Sequence, residues 1–106
     1  MAKYLIRGSY TAEGAKGVIK EGGTSRRAAV QKAVEGLGGK IESLYFTFGA
    51  DDVIVICEIP DAISGLALSL AVNSSGAVKI STSPLFSVED VDAASKKAVN
   101  YRPAGA

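Results

Sequence analysis

Residues 40–61, KIESLYFTFGADDVIVICEIPD, decide the fold. Two runs rich in Ile, Val, Phe and Tyr flank Gly49-Ala50-Asp51-Asp52, a pattern that predicts two strands joined by a tight turn. The second run is unusual. Val53, Val55, Cys57 and Ile59 fall on one face of a strand, and Ile54 and Ile56 fall on the other, with Glu58 its lone polar member. In the first run Leu44, Phe46 and Phe48 lie opposite Tyr45 and Thr47. A sheet covered on one side alternates apolar and polar residues; this hairpin is apolar on both sides.

Upstream, Lys3–Tyr10 reads as a strand, and Thr11 as the N-cap of a helix through Glu13, Lys16, Val18, Ile19 and Lys20. Gly22-Gly23 interrupts that helix. Thr24 or Ser25 is expected to cap a second piece with Val30, Ala33, Val34 and Leu37 on one face, ended by Gly38-Gly39. Downstream, Asp61 is the expected N-cap of a helix that buries Ile63, Leu66, Ala67 and Leu70 and stops at Gly76. Residues 77–86 alternate as a last strand, where Pro84 must lie at an edge or a strand end. Ser87 and Asp90 have the spacing of a capping box for a short helix through Val91 and Ala98, and the tail beyond about residue 99 is expected to be loose.

The order is β-α-β-β-α-β followed by a short C-terminal helix. That is the split βαβ order of an α+β, ferredoxin-like domain: one antiparallel sheet with its long helices on one face, here spanning residues 1–106. The face away from the helices then displays the second apolar side of the hairpin. At ~25 cal/mol per Å2, leaving several such side chains wet forfeits several kcal/mol. The expected cover is a second copy of the chain, a dimer or higher oligomer closed through the open sheet face. The alternative cover is the C-terminal helix, folded back through Val88, Val91 and Val99.

The bulk properties narrow the function classes. Hydrophobic residues make up 47% of the 106, enough for a core without disulfide or metal staples. A net charge of +1 and no basic stripe interleaved with aromatics argue against a nucleic-acid partner. No apolar run approaches the roughly 20 residues that cross a bilayer, so no membrane partner is expected. The start, MAKYLIRGSY, lacks the apolar stretch of a signal peptide, and Cys57 is the single cysteine. A cytoplasmic location fits both. There is no histidine, which removes the commonest general base, the commonest metal ligand and any Ser-His-Asp or Cys-His arrangement within one chain. No cofactor and no metal site are expected.

Thr11-x-x-Gly14-x-Lys16, Arg26-Arg27, Leu37-Gly-Gly-Lys40, Tyr45-Phe-Thr-Phe-Gly49, Asp52-Val-Ile-Val-Ile56, Pro60-Asp61 and the Leu-Ala-Leu-Ser-Leu segment ending at Gly76 stand out along the chain. With these motifs the sequence resembles the GYD domain family, a small bacterial family. The resemblance runs from Tyr4 to about Asp90. It implies a ferredoxin-like fold similar to the dimeric α/β barrels and brings no established activity with it. The family pattern at the turn is Gly-x-Tyr-Asp. Gly49 and Asp52 match it, and Asp51 stands where the tyrosine belongs, so a role that needs a phenol there does not carry over.

The candidate ligand-binding residues are Arg7, Arg26, Arg27, Tyr45, Asp51 and Asp52; no catalytic residue is assigned. Gly22-Gly-Thr-Ser-Arg-Arg27 offers a flexible backbone, a helix N-terminus and two guanidiniums for an anion, without the spacing of a Walker A loop. Its plainer reading is a helix break with solvated arginines. Asp51 and Asp52 are either turn-forming residues or carboxylates at a pocket mouth. Arg7 is a surface arginine unless it faces an interface, where Glu58 or Asp52 would have to pair with it. Cys57 reads as a buried structural thiol rather than a nucleophile. The expected function is a homo-oligomeric module that binds a small anionic or apolar ligand or serves regulation. The alternatives are a small cofactor-independent enzyme of the dimeric α/β barrel type, with Tyr45, Arg7 or the turn carboxylates orienting an apolar substrate, and a trimer with clefts between subunits.

Overall fold

The computed structural model describes residues 1–106. The elements are β1 (Ala2–Tyr10), α1 (Ala12–Glu21), α2 (Gly23–Gly36), β2 (Lys40–Phe46), β3 (Val53–Ile59), α3 (Ala62–Ser74), β4 (Val78–Leu85) and α4 (Val88–Ser95). The sheet runs β2-β3-β1-β4 with every neighbouring pair antiparallel. The fold is α+β and ferredoxin-like, with α1 and α2 sharing the first crossover and α3 forming the second. No helix is long and apolar enough to cross a membrane.

Local chemistry sets the boundaries. The Thr11 side chain accepts from the Gly14 N–H at 3.1 Å, and the Asp61 carboxylate accepts from the Ser64 N–H at 2.8 Å, so both act as N-caps. Ser87 and Asp90 form a reciprocal capping box, each bond 3.0 Å. Gly38 ends the α2 turn at φ +84°, and a side chain at Gly39 would lie 2.3 Å from the Glu58 carbonyl oxygen. The Leu37-Gly-Gly-Lys40 motif is thus a left-handed turn followed by a close approach of two backbones. Pro84 sits on β4, an edge strand, as its missing N–H requires.

Four expectations need correction. Thr24 and Ser25 do not cap α2; the helix begins at Gly23, and Gly22, at φ +85°, takes the cap position with no side-chain bond. The hairpin is not closed by a four-residue turn. Six residues, Thr47–Asp52, join β2 to β3, and the loop leans on the end of β1: the Asp52 N–H donates to the Gly8 carbonyl at 2.8 Å and the Ser9 hydroxyl donates to the Ala50 carbonyl at 3.1 Å. Phe48 therefore leaves the sheet and is fully exposed.

The other two concern packing. α3 faces the opposite way from the expected one, burying Gly65 and Leu68 while Ile63, Leu66 and Leu70 stay 56–75% exposed. Its sequence, AISGLALSLAVNS, has no charged residue, so the apolar spacing at 63, 66, 67 and 70 has no charged opposite face to confirm it. Polar bonds choose the face: the Ser69 and Thr82 hydroxyls meet at 3.0 Å, and the Asn73 amide brackets the backbone of Ile80 at 2.7 and 3.3 Å. Finally, the C-terminal helix does not fold back over the open sheet face. Every residue from Ser83 to Ala106 is exposed, and α4 buries nothing.

The core lies between the sheet and the helices α2 and α3. It consists of Ile6, Val34, Val53, Val55, Cys57, Ile59 and Leu68. The opposite sheet face carries Leu5, Ile54, Ile56 and Tyr45, with ion pairs at its margin between Lys3 and Glu42 (3.0 Å) and between Lys40 and Glu58 (3.2 Å). Ile54 and Ile56 are half-exposed and Tyr45 is 71% exposed, so both sides of β3 are apolar, as its sequence implies.

Candidate functional site

The helix layer does not close over the sheet. α2 rests on β2 and α3 rests mainly on β4, which leaves the sheet between them partly uncovered. A cleft of about 140 Å3 opens there. Its floor is Ile6, Val53 and Val55, and its walls are Val30 of α2 and Leu68 and Val72 of α3. Thirteen of its fourteen lining residues are hydrophobic, and the remaining one is Arg26. The Tyr10 ring and Phe46 also line it.

Arg26 reaches this cleft from the first turn of α2, where the helix N-terminus directs free N–H groups outward. The guanidinium is half-buried and lies 3.7 Å from the Glu21 carboxylate, a long contact that holds it weakly. Arg27 opens onto a second, shallower hollow with Gly23, Thr24 and Phe46. Phe46 lines both hollows; a side chain at Gly23 would stand 3.3 Å from its ring. The glycine pair that breaks the long helix thus also makes room for Phe46.

The six candidate residues separate into three places. Arg26 and Arg27 belong to the cleft and its side hollow. Arg7 and Tyr45 flank Ile54 on the open sheet face, on the far side of the sheet from the cleft. They cannot orient a ligand there, contrary to the expectation from sequence. Arg7 has no carboxylate partner within the chain: Glu58 pairs with Lys40, and the Asp52 carboxylate accepts the Tyr10 N–H at 2.8 Å. Asp51 and Asp52 lie in the β2–β3 loop, both half-buried. No group of three or more Asp, Glu or Cys side chains is arranged to hold a metal ion.

Cys57 is fully buried on the helix face of β3, and burial pushes its thiol above the ordinary value by disfavouring the thiolate. Its environment is that of a packing residue. Tyr10 is a cleft-lining residue absent from the candidates the sequence offers. The alternation Tyr4, Ile6, Gly8, Tyr10 places it on the helix face of β1, a signal present in the pattern.

Over residues 4–95 the sequence matches the family described as the GYD domain. The chain belongs to that family. No curated protein and no solved structure gives a significant match. The geometry explains several of the GYD motif positions. Asp52, the aspartate of the pattern, ties the hairpin loop to the end of β1 through the Tyr10 N–H, beyond the last β1–β3 pair. Gly14 lies where α1 meets the start of β4; a Cβ there would stand 1.8 Å from the Ala77 carbonyl oxygen. Asp51, at the tyrosine position of the pattern, makes no hydrogen bond or ion pair.

Proposed function

We propose that this GYD domain protein is a homo-oligomeric module that binds a small, mainly apolar anion in the cleft between α2 and α3. The observation that carries the reading is the composition of the cleft: an apolar cavity of about 140 Å3 with one guanidinium as its sole charged group. A dry cavity of roughly this size takes a benzene-sized group. A carboxylate on that group would meet Arg26 in a charge-assisted, two-pronged contact. The lining holds no carboxylate, lysine or histidine, and its only hydroxyl is the Tyr10 phenol; this favours binding over the alternative of a cofactor-independent enzyme.

The oligomeric part of the reading is supported by surface area. The chain exposes 7515 Å2. A compact monomer of its 10.9 kDa exposes about 5,600 Å2. The excess, roughly 1,900 Å2, is more than twice the ~800 Å2 that each partner contributes to an ordinary stable interface. The apolar face of Leu5, Ile54, Ile56 and Tyr45 is the natural place to bury part of it.

A thermal-shift experiment tests the ligand class. Benzoate near a hundred times its Kd should raise Tm on the order of 10 °C, because binding at that ratio adds about 2.7 kcal/mol. Benzyl alcohol, similar in shape and uncharged, should raise it less. Arg26→Ala should abolish the difference between the two. No shift from benzoate or from a series of small aliphatic carboxylates refutes the binding reading.

A further inference from the structure

The segment after β4 is built, yet packed on nothing. From Ser83 onward each residue is exposed, and Phe86, Val88, Val91, Val99 and Tyr101 show 60–79% of their surface to solvent. The chain's radius of gyration is 16.8 Å, against about 13 Å for a compact domain of this length. Isolated helices shorter than about 12–15 residues are marginal in water. α4 has only eight, and its capping box supplies one stabilising device. Val88, Val91 and Ser95 make a narrow stripe along it, with Asp92 four residues after Val88 and so on the same side.

Charge indicates what this stripe meets. Arg7 and Lys79 lie on the β1–β4 half of the open sheet face, and neither has an acid partner within the chain. Their neighbours on β4 are the small side chains Ser81 and Ser83, with Leu5 alongside on β1 and Ile54 beside Arg7 on β3. Glu89 and Asp92 on α4 have no basic partner. On α4 itself the unpaired charges are acidic, with Lys96 and Lys97 following the helix, and Asp92 on the apolar stripe is the complement of Arg7 on the sheet face.

We propose that residues 86–101 form an exchange arm: α4 packs on the β1–β4 half of the open sheet face of a second copy of this chain, with Asp92 meeting Arg7, and the second copy's arm packs back in return. The inference rests on the oligomeric reading above and assigns the β2–β3 half of the same face to direct sheet-to-sheet contact. The five apolar side chains of one arm carry roughly 600 Å2 of buriable surface. Two reciprocal arms therefore bring about 1,200 Å2 before the surface they cover is counted, which reaches the range of a standard interface.

Equilibrium sedimentation of the full chain and of a version ending at Leu85 tests it. The arm packs on nothing in its own chain, so the shortened protein should lose only α4's share of the far-ultraviolet helix signal and keep its cooperative unfolding, while its dimer Kd rises about a hundredfold or more. A Kd within about threefold of the parent's overturns the proposal. Arg7→Asp and Asp92→Arg should each raise Kd about tenfold, and the two together should restore it. Additive loss in the double variant overturns the Arg7–Asp92 pairing. Ile54→Lys separates the two claims. If it leaves the oligomer intact while the truncation dissociates it, the arm stands and the sheet-to-sheet contact falls. A full chain that is monomeric at about 100 µM overturns both.

Discussion

Gly14→Ala and Gly17→Ala make the same change one turn apart in α1, and the structure gives them opposite signs. At Gly17 a new Cβ meets nothing within 4 Å, so the substitution adds only helix propensity and should stabilise by about 0.5–1 kcal/mol. At Gly14 the Cβ would stand 1.8 Å from the Ala77 carbonyl oxygen, well inside the 3.0 Å that real Cβ atoms respect. The start of α1 and the start of β4 must move apart by more than an ångström. That movement strains three bonds at one junction: Thr11 N–H to the Ala77 carbonyl (3.0 Å), the Thr11 hydroxyl to the Gly76 carbonyl (2.9 Å) and the Gly14 N–H to the Thr11 oxygen (3.1 Å). Losing two of them and the cap costs about 2–4 kcal/mol, and alanine's propensity returns about 1.

The expected net loss is about 1–3 kcal/mol for Gly14→Ala, a fall in Tm of roughly 5–20 °C. Urea denaturation followed by circular dichroism, at one fixed protein concentration, measures both variants against the parent. If the two variants agree within about 0.5 kcal/mol, the close approach of α1 to β4 is wrong, and with it the explanation of the Thr11-x-x-Gly14 motif.

Two further perturbations test neighbouring claims. Asp52→Ala removes the acceptor of the Tyr10 N–H and should cost about 1–2 kcal/mol in urea denaturation, whereas Asp52→Asn keeps an acceptor oxygen and should cost less than about 1. Burial holds Cys57 neutral to a higher pH than in the unfolded chain, so its contribution is complete below about pH 8.5 and is lost as pH rises through the folded value; Cys57→Ala should flatten that alkaline decline in stability.

Much of the fold is legible because local chemistry writes it. Thr11, Asp61, Ser87 and Asp90 announce helix starts through side chains that bond their own backbone, and Gly38 announces an end. The β-α-β-β-α-β order then leaves few sheets to choose from. The length of the hairpin loop is not legible, because Thr47 and Phe48 continue the strand alternation and only the contact of Asp52 with β1 removes them from the sheet. The site is legible in part. Gly22-Gly23 followed by Arg26 marks a helix start with a cation, which is local information. The cleft itself exists because α2 and α3 rest on opposite sides of the sheet, a tertiary fact with no local signature. Tyr10 and Phe46 acquire their roles only through it.

β3 and α3 share the property that makes this chain readable and misleading at once. Each is apolar on all sides, and in each the missing polar face is the signal. For β3 the pairing with β1 fixes which side meets the helices, so the surplus side, Ile54 and Ile56, is identified correctly from alternation. For α3 the bonds of Ser69 and Asn73 to β4 fix the face, and the surplus side is Ile63, Leu66 and Leu70, the residues that periodicity alone assigns to the core. An element without a polar face buries one apolar side within its own chain and leaves the other to be covered by something else. The sheet face, α3 and the C-terminal arm thus repeat one message at three places.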